Sequence, residues 1–225
     1  MAELFNNGFE EGDFSAWTGT LQNGTGNTIT VQDTIKYAGT WAAKAHIQTG
    51  SGYGLAYKTL TMGATTYMRV YAQVSALPAS GNLYWLFKIR DTTNSKDWRV
   101  GIYNVGGTLK WFILNEVAGA YYTYDETMLV DTWYCLELKV VIDGSAGECR
   151  LWRNGTEIIT ETGINTGSNN PTRAYIGYQS FDGTAGDYYT DCVVVADAYI
   201  GCEAVGVPIA VMMHHYNRIN KIIRG

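Results

Sequence analysis

Hydrophobic and polar positions alternate with a period of two along most of this chain, which is the spacing of strands with one buried face. From residue 133 to 142, Tyr134, Leu136, Leu138, Val140 and Ile142 fall on one side and Trp133, Cys135, Glu137, Lys139 and Val141 on the other. Asp143-Gly144 through Gly147 then reverses the chain, and Asn154-Gly155 supplies the two positive φ angles of a tight type I′ hairpin before Thr156-Glu157-Ile158. Three consecutive antiparallel strands result. Similar alternation predicts strands beginning at Leu4 and spanning residues 28–32, 42–48, 53–60, 66–74, 83–90, 98–103, 109–114, 173–179 and 188–201, with Gly106-Gly107 as a further hairpin. Val117 to Met128, which holds Tyr121-Tyr122-Thr123-Tyr124, reads as a loop or an edge strand. The expected fold class is all-β, a two-sheet antiparallel sandwich.

The polar sides of these strands carry candidate chemistry. Tyr67, Arg69, Tyr71 and Gln73 face one way while Met68, Val70, Ala72 and Val74 face the core. If strands adjacent in sequence are neighbours in one sheet, Tyr84 and Lys88, then Arg99 and Tyr103, join them on the same face. Aromatic rings beside Arg, Lys and Gln suit a glycan, since sugar C–H faces pack on rings while hydroxyls take directional hydrogen bonds. The competing reading is an ordinary solvent-facing sheet, where Tyr and Arg are also favoured.

The pattern changes near the C-terminus. Ile209, Met212, Met213, Tyr216, Ile219, Ile222 and Ile223 recur at helical spacing after Pro208, interleaved with His214, His215, Arg218, Lys221 and Arg224. This divides the chain into a sandwich at 1–203 and a helical or extended tail at 204–225. The tail is expected to dock on a second copy or on neighbouring subunits of an assembly, with Ile209, Met212, Met213, Tyr216, Ile219 and Ile223 as its anchors.

Composition narrows the partners. The chain has 225 residues, a formal net charge of −5 and 16% charged residues, which gives no electrostatic footprint for nucleic acid or anionic membrane. No apolar run reaches membrane-spanning length, and Met1 to Asn6 lacks the basic start and apolar core of a signal peptide. That absence favours a particle assembled inside the cell, hence a virion or extracellular surface assembly. Cys135, Cys149, Cys192 and Cys202 form no Cys-x-x-Cys pair. The hairpin register sets Cys149 nearer Val141 than Cys135, so those two are not expected to bridge, and buried free thiols are the simplest reading.

The run Trp133 to Ile158 resembles the core hairpins of the concanavalin A-like jelly-roll superfamily, the laminin-G and legume-lectin type of sandwich. Tyr188 to Gly201 resembles its closing strand, and Asn7 to Trp17 is similar to the opening strand and turn of many bacterial carbohydrate-binding jelly rolls. The resemblance implies a jelly roll over about residues 4 to 202, and from some relatives a structural calcium held by Glu11, Asp13 and Asp191. The superfamily includes lectins, glycosidases, polysaccharide lyases and structural domains, so fold alone does not choose among them. The paired carboxylates of its glycosidases are absent as an E-x-D-x-x-E run. Its lyases use Arg, His, Gln and Tyr, which His46, Gln48, Arg69 and Tyr71 resemble, although the usual Q-x-H order is reversed as His46-Ile47-Gln48. The leading expectation is a non-catalytic jelly-roll decoration module of a surface assembly that also binds glycan. A free carbohydrate-binding module and a lyase or glycosidase are the alternatives.

Overall fold

The computed structural model describes residues 2–48, 52–180 and 185–203. The tail anchors at 209–223 lie outside the described residues, as does the division at 204. Two antiparallel sheets pack face to face. The front sheet runs β13 (Thr156–Ile164), β12 (Gly147–Arg153), β11 (Tyr134–Val141), β6 (Thr65–Val74), β15 (Gly186–Ala196), β4 (Ala42–Ile47), β3 (Thr28–Gln32), with β1 (Glu3–Asn7) also paired to β15. The back sheet runs β10 (Ala120–Asp125), β9 (Thr108–Asn115), β8 (Lys96–Val105), β7 (Leu83–Asp91), β14 (Arg173–Ser180), β5 (Gly52–Thr59), β2 (Gly19–Asn23).

The alternation read from the sequence sets the core. Met68, Val70, Leu136, Leu138 and Val140 of the front sheet meet Phe87, Ile89, Trp98, Val100 and Ile113 of the back sheet, all buried. Each such side chain contributes roughly 1.5–3 kcal/mol by leaving water. Asn154 and Gly155 have φ of 52° and 80°, so the β12–β13 hairpin forms as its sequence predicts. At one edge the two layers touch through backbone. A Cβ on Gly54 of β5 would lie 2.2 Å from the Thr28 carbonyl oxygen, so a side chain there would force the sheets apart.

One strand was not predicted, and one open alternative is decided. Gly19–Asn23 forms edge strand β2 although most of its residues are exposed, so no buried alternation marks it. The tyrosine-rich segment settles as edge strand β10.

The expected single face is overturned. β6 lies in the front sheet, whereas β7 and β8 lie in the back sheet, so Tyr67, Arg69, Tyr71 and Gln73 are on the opposite side of the sandwich from Lys88, Arg99 and Tyr103. The chain crosses between layers after Val74 instead of making a hairpin. Tyr84 is on neither outer face. An irregularity between Trp85 and Phe87 shifts the β7 register against β8, which inverts the alternation, buries Tyr84 in the core and turns Trp85 outward with Lys88.

Candidate functional site

The outer face of the front sheet is a series of rungs made by directly paired residues. His46 of β4 sits opposite Asp187 of β15, and Lys44 sits opposite Tyr189, which in turn pairs with Gln73 of β6. The next rungs are Asp191, Tyr71 and Cys135, then Val194, Arg69, Glu137 and Trp152, then Ala196, Tyr67, Lys139 and Arg150. Side chains directly opposite each other project to the same side of a sheet, so these rungs form one polar surface.

Its lower rungs are occupied by the chain itself. Cys135 is joined to Cys202 by a disulfide that spans 67 residues, with Cα atoms 6.0 Å apart. The segment that follows β15 is thereby strapped across the sheet. Glu137 accepts the backbone N–H groups of Ile200 and Gly201, both at 2.8 Å. Arg69 donates to the carbonyls of Cys192 and Gly201 and pairs with Glu203 at 2.6 Å. The Tyr71 hydroxyl accepts the Glu203 N–H at 2.5 Å, while Tyr37 stacks on the Tyr71 ring with centroids 3.8 Å apart. Tyr67 packs near Trp152 and Tyr199. Arg69 and Tyr71 are accordingly 3% and 2% exposed; the Tyr71 hydroxyl and the two terminal guanidinium nitrogens of Arg69 bond the strap and β15, while Arg69 Nε has no partner among the described residues. Burial pushes the Glu137 carboxyl up, against the opposing pull of the two N–H groups and Arg69.

The upper rungs are partly open: Lys44, His46 and Asp187 reach solvent, whereas Gln73 and Tyr189 are buried. Asp187 gathers three partners on one carboxylate: His46 Nδ1 at 2.6 Å, Lys44 Nζ at 2.9 Å, and the Tyr189 hydroxyl, which donates at 3.3 Å. The side chains of His46 and Lys44 are 40% and 31% exposed, so the cluster faces solvent. Burial opposes ionisation of Asp187, but the hydrogen bonds from His46 and Lys44 outweigh it and hold the carboxyl below its ordinary range. Burial also raises the Tyr189 hydroxyl, and Asp187 adds to the effect. An ionised Asp187 that accepts from Nδ1 leaves His46 Nε2 as the ring nitrogen that it does not engage. Of these residues the sequence reading placed His46 in its lyase comparison and Gln73 among the glycan contacts. Lys44, Asp187 and Tyr189 escaped it, because β4 and β15 become neighbours only through a pairing 141 residues apart in sequence.

Each of the three expected calcium ligands has hydrogen-bond partners of its own. The Asp191 carboxylate accepts N–H groups from Tyr37, Ala38 and Cys192, Glu11 accepts from the Asn7 amide, and Asp13 caps the Ser15 N–H. Among the described residues no group of three or more His, Cys, Asp or Glu is placed to share a metal. Asp191 is 0% exposed, and burial raises its pKa to about 6 despite the backbone N–H groups around it. Cys149 and Cys192 are buried free thiols, as expected, whereas Cys135 and Cys202 are bridged.

On the back sheet, Lys88, Arg90 and Arg99 converge on the buried Asp97 carboxylate, and Arg99 also pairs with Glu116. The Arg99 guanidinium lies over the Trp85 ring at 3.6 Å and the Lys88 ammonium near the Tyr175 ring at 4.9 Å. Tyr103 packs near Tyr121 at the same face. These cations are thus engaged with one another's counter-ions, and Lys88 is only 7% exposed.

No family model matches the sequence, and no curated protein matches it. Solved structures do resemble it. The cellulose-induced protein Cip1 superposes with a TM-score of 0.70 at 19% identity, covering 88% of this chain and 100% of its own. An endo-β-1,4-glucuronan lyase from the fungus Trichoderma reesei gives 0.63 at 13% identity, covering 88% and 96%, and the alginate lyase Aly36B gives 0.51 at 13%, covering 72% and 82%. At these identities the likeness is one of fold, and the fold is the two-sheet jelly-roll sandwich, consistent with a concanavalin A-like architecture.

Proposed function

We propose that this chain is a carbohydrate-binding jelly roll whose site is the open half of the front sheet, centred on Lys44, His46, Gln73, Asp187 and Tyr189. The observation that carries this reading is the convergence of three different donors on Asp187 at a solvent-facing surface, next to an otherwise similar surface that the chain has covered with its own strap. Donors of fixed direction beside a tyrosine ring suit hydroxyl-rich ligands. The similar structures include a cellulose-induced protein and lyases of glucuronan and alginate, which makes those polysaccharides the natural probes. Binding of cellulose, glucuronan and alginate by affinity electrophoresis tests the proposal. Retardation by at least one of them, lost in His46→Ala and Tyr189→Phe, supports it; equal migration with all three overturns it.

A second reading is favoured by one contact. His46 Nδ1 at 2.6 Å from Asp187 makes an oriented imidazole of the kind that serves as a general base. On a uronate chain, His46 Nε2 would take the proton at C5, the electron pair would form the C4=C5 bond, and the C4–O bond would break. The departing oxygen would receive the Tyr189 proton. In this reading Lys44, beside Asp187 on the same face, would polarise the uronate carboxylate. Ultraviolet absorbance of an unsaturated product, abolished in His46→Ala, separates this reading from binding alone. The disulfide further suggests an oxidising compartment as the working environment. The virion or filament role expected from the tail draws no support from the fold or from the similar structures.

A further inference from the structure

At the lowest rungs of the front sheet's outer face, away from His46, the strap leaves three rings partly exposed. Tyr199 of the strap meets Trp152 of β12 with ring centroids 5.2 Å apart, and Tyr67 of β6 lies 6.3 Å from Trp152 and 6.5 Å from Tyr199. The planes in these three pairs are inclined at 56°, 32° and 75°, so no ring of the three is closed by a parallel neighbour among them. Tyr199 is 45% exposed, and Tyr67 and Trp152 are half-buried. The Trp152 indole N–H and the Tyr67 and Tyr199 hydroxyls take part in no hydrogen bond among the described residues, and the Trp152 and Tyr67 atoms are open to solvent. Tyrosine and tryptophan held in this way, with the ring against protein and the polar tip in water, are what binding surfaces favour.

The charged groups beside the rings restrict what could lie on them. Glu157 is the direct cross-strand partner of Trp152, so its carboxylate stands beside the indole on the same face. Arg150 donates from Nη1 to both Glu157 oxygens at 3.4 Å and from Nε to Glu148 at 3.2 Å, and Lys139 joins Glu148 at 2.5 Å. Two cations and two carboxylates neutralise one another, which leaves no spare charge for an ionic ligand. The Arg150 and Glu157 side chains are still 28% and 33% exposed, and a guanidinium with five donors and a carboxylate with four lone pairs each have capacity beyond their mutual contact. Rings edged by a neutralised donor–acceptor pair match a neutral sugar. In a β-1,4-linked glucose chain every ring substituent is equatorial, so the axial C–H bonds form two apolar faces and the hydroxyls leave at the edge. Such a face packs on an aromatic ring while the edge meets Arg150, Glu157 and the indole N–H. The strap completes the surface, since Glu137 holds the N–H groups of Ile200 and Gly201 and the Cys135–Cys202 disulfide fixes the chain just beyond, which keeps Tyr199 at Trp152.

We propose that Trp152, Tyr199 and Tyr67, edged by Arg150 and Glu157, form a second binding surface, for a neutral β-1,4-linked glucan. It shares no residue with the His46 cluster and stands independently of the reading made there. The test follows the Trp152 indole N–H and His46 ring resonances of the ¹⁵N-labelled protein during titration with cellohexaose and, separately, with an alginate hexasaccharide. The Trp152 signal is assigned with Trp152→Phe, or by through-bond experiments on the unmodified protein if that variant does not fold. Saturable movement of the Trp152 signal with cellohexaose, at a midpoint of about 0.1–1 mM, is expected, and the acidic hexasaccharide should leave it in place. The midpoint should rise about tenfold in Tyr199→Ala, whose exposed ring can be removed without opening the core. A Trp152 signal that cellohexaose does not move overturns the proposal, as does movement that Tyr199→Ala leaves unaltered or that the acidic chain produces equally well. Because His46 is followed in the same spectra, movement there reports on the open half by itself, and either reading can fail without the other.

Discussion

The two halves of the front sheet's outer face are built from the same residue types and have opposite fates. Arg69, Tyr71, Asp191 and Glu137 on the lower rungs are buried, and most of their polar atoms are used by the strap at 197–203, by β15 and by the loop that carries Tyr37. Lys44, His46 and Asp187 on the upper rungs bond one another and remain partly exposed. A tyrosine or arginine on a sheet face is therefore no evidence of a ligand until its partners are known. What distinguishes the halves is whether the chain returns to cover them.

The comparison is broken most directly at the disulfide. Cys202→Ser frees the strap, and with a loop of 67 residues the expected loss is about 4 kcal/mol, read as a shift in the urea midpoint. Arg69→Ala leaves Glu203 and two carbonyls without their donor, with an expected loss of about 3 kcal/mol in the same measurement. If either change instead abolished polysaccharide binding while stability held, the covered half would have to be reassigned as ligand-facing.

Asp191 sharpens the contrast through pH. Its folded pKa of about 6 lies above the ordinary 3.8, so the folded protein holds a proton that the unfolded chain releases. The stabilisation from that proton is full below about pH 4 and is lost as pH rises through about 6, on the order of 3 kcal/mol. Asp191→Asn should flatten the stability profile across this window relative to the unmodified protein, as measured by thermal unfolding at steps of pH. An unchanged profile would mean that the burial of Asp191 is not what governs it.

The smallest stability effect is expected on the open half. His46→Ala removes a partly exposed contact, so unfolding should shift by under about 1 kcal/mol. Binding or turnover of the polysaccharide, by contrast, should fall at least tenfold. A stability loss comparable to that of Arg69→Ala would place His46 with the structural residues.

Much of the sandwich was legible locally. The alternation in β6, β8 and β11 assigned core and outer sides correctly, and Asn154-Gly155 announced its hairpin, because period two and positive φ are properties of a few adjacent residues. Edge strand β2 was not legible, since an exposed strand has no buried partner to impose a pattern.

The site was legible only in fragments. His46 and Gln73 stood out by residue type, but their association with Lys44, Asp187 and Tyr189 depends on β15 inserting between β4 and β6. Nor does alternation show that Leu86 marks a bulge, which is why Tyr84 and Trp85 exchanged sides. The sequence by itself determined which stretches with a buried face are strands and, where no bulge intervenes, which residues share a side, since both follow from local geometry. Only the tertiary structure decided which strands are neighbours, which of two similar polar surfaces the strap covers, and that Cys135 meets Cys202. Those outcomes rest on contacts between residues far apart in the chain, and no local period encodes them.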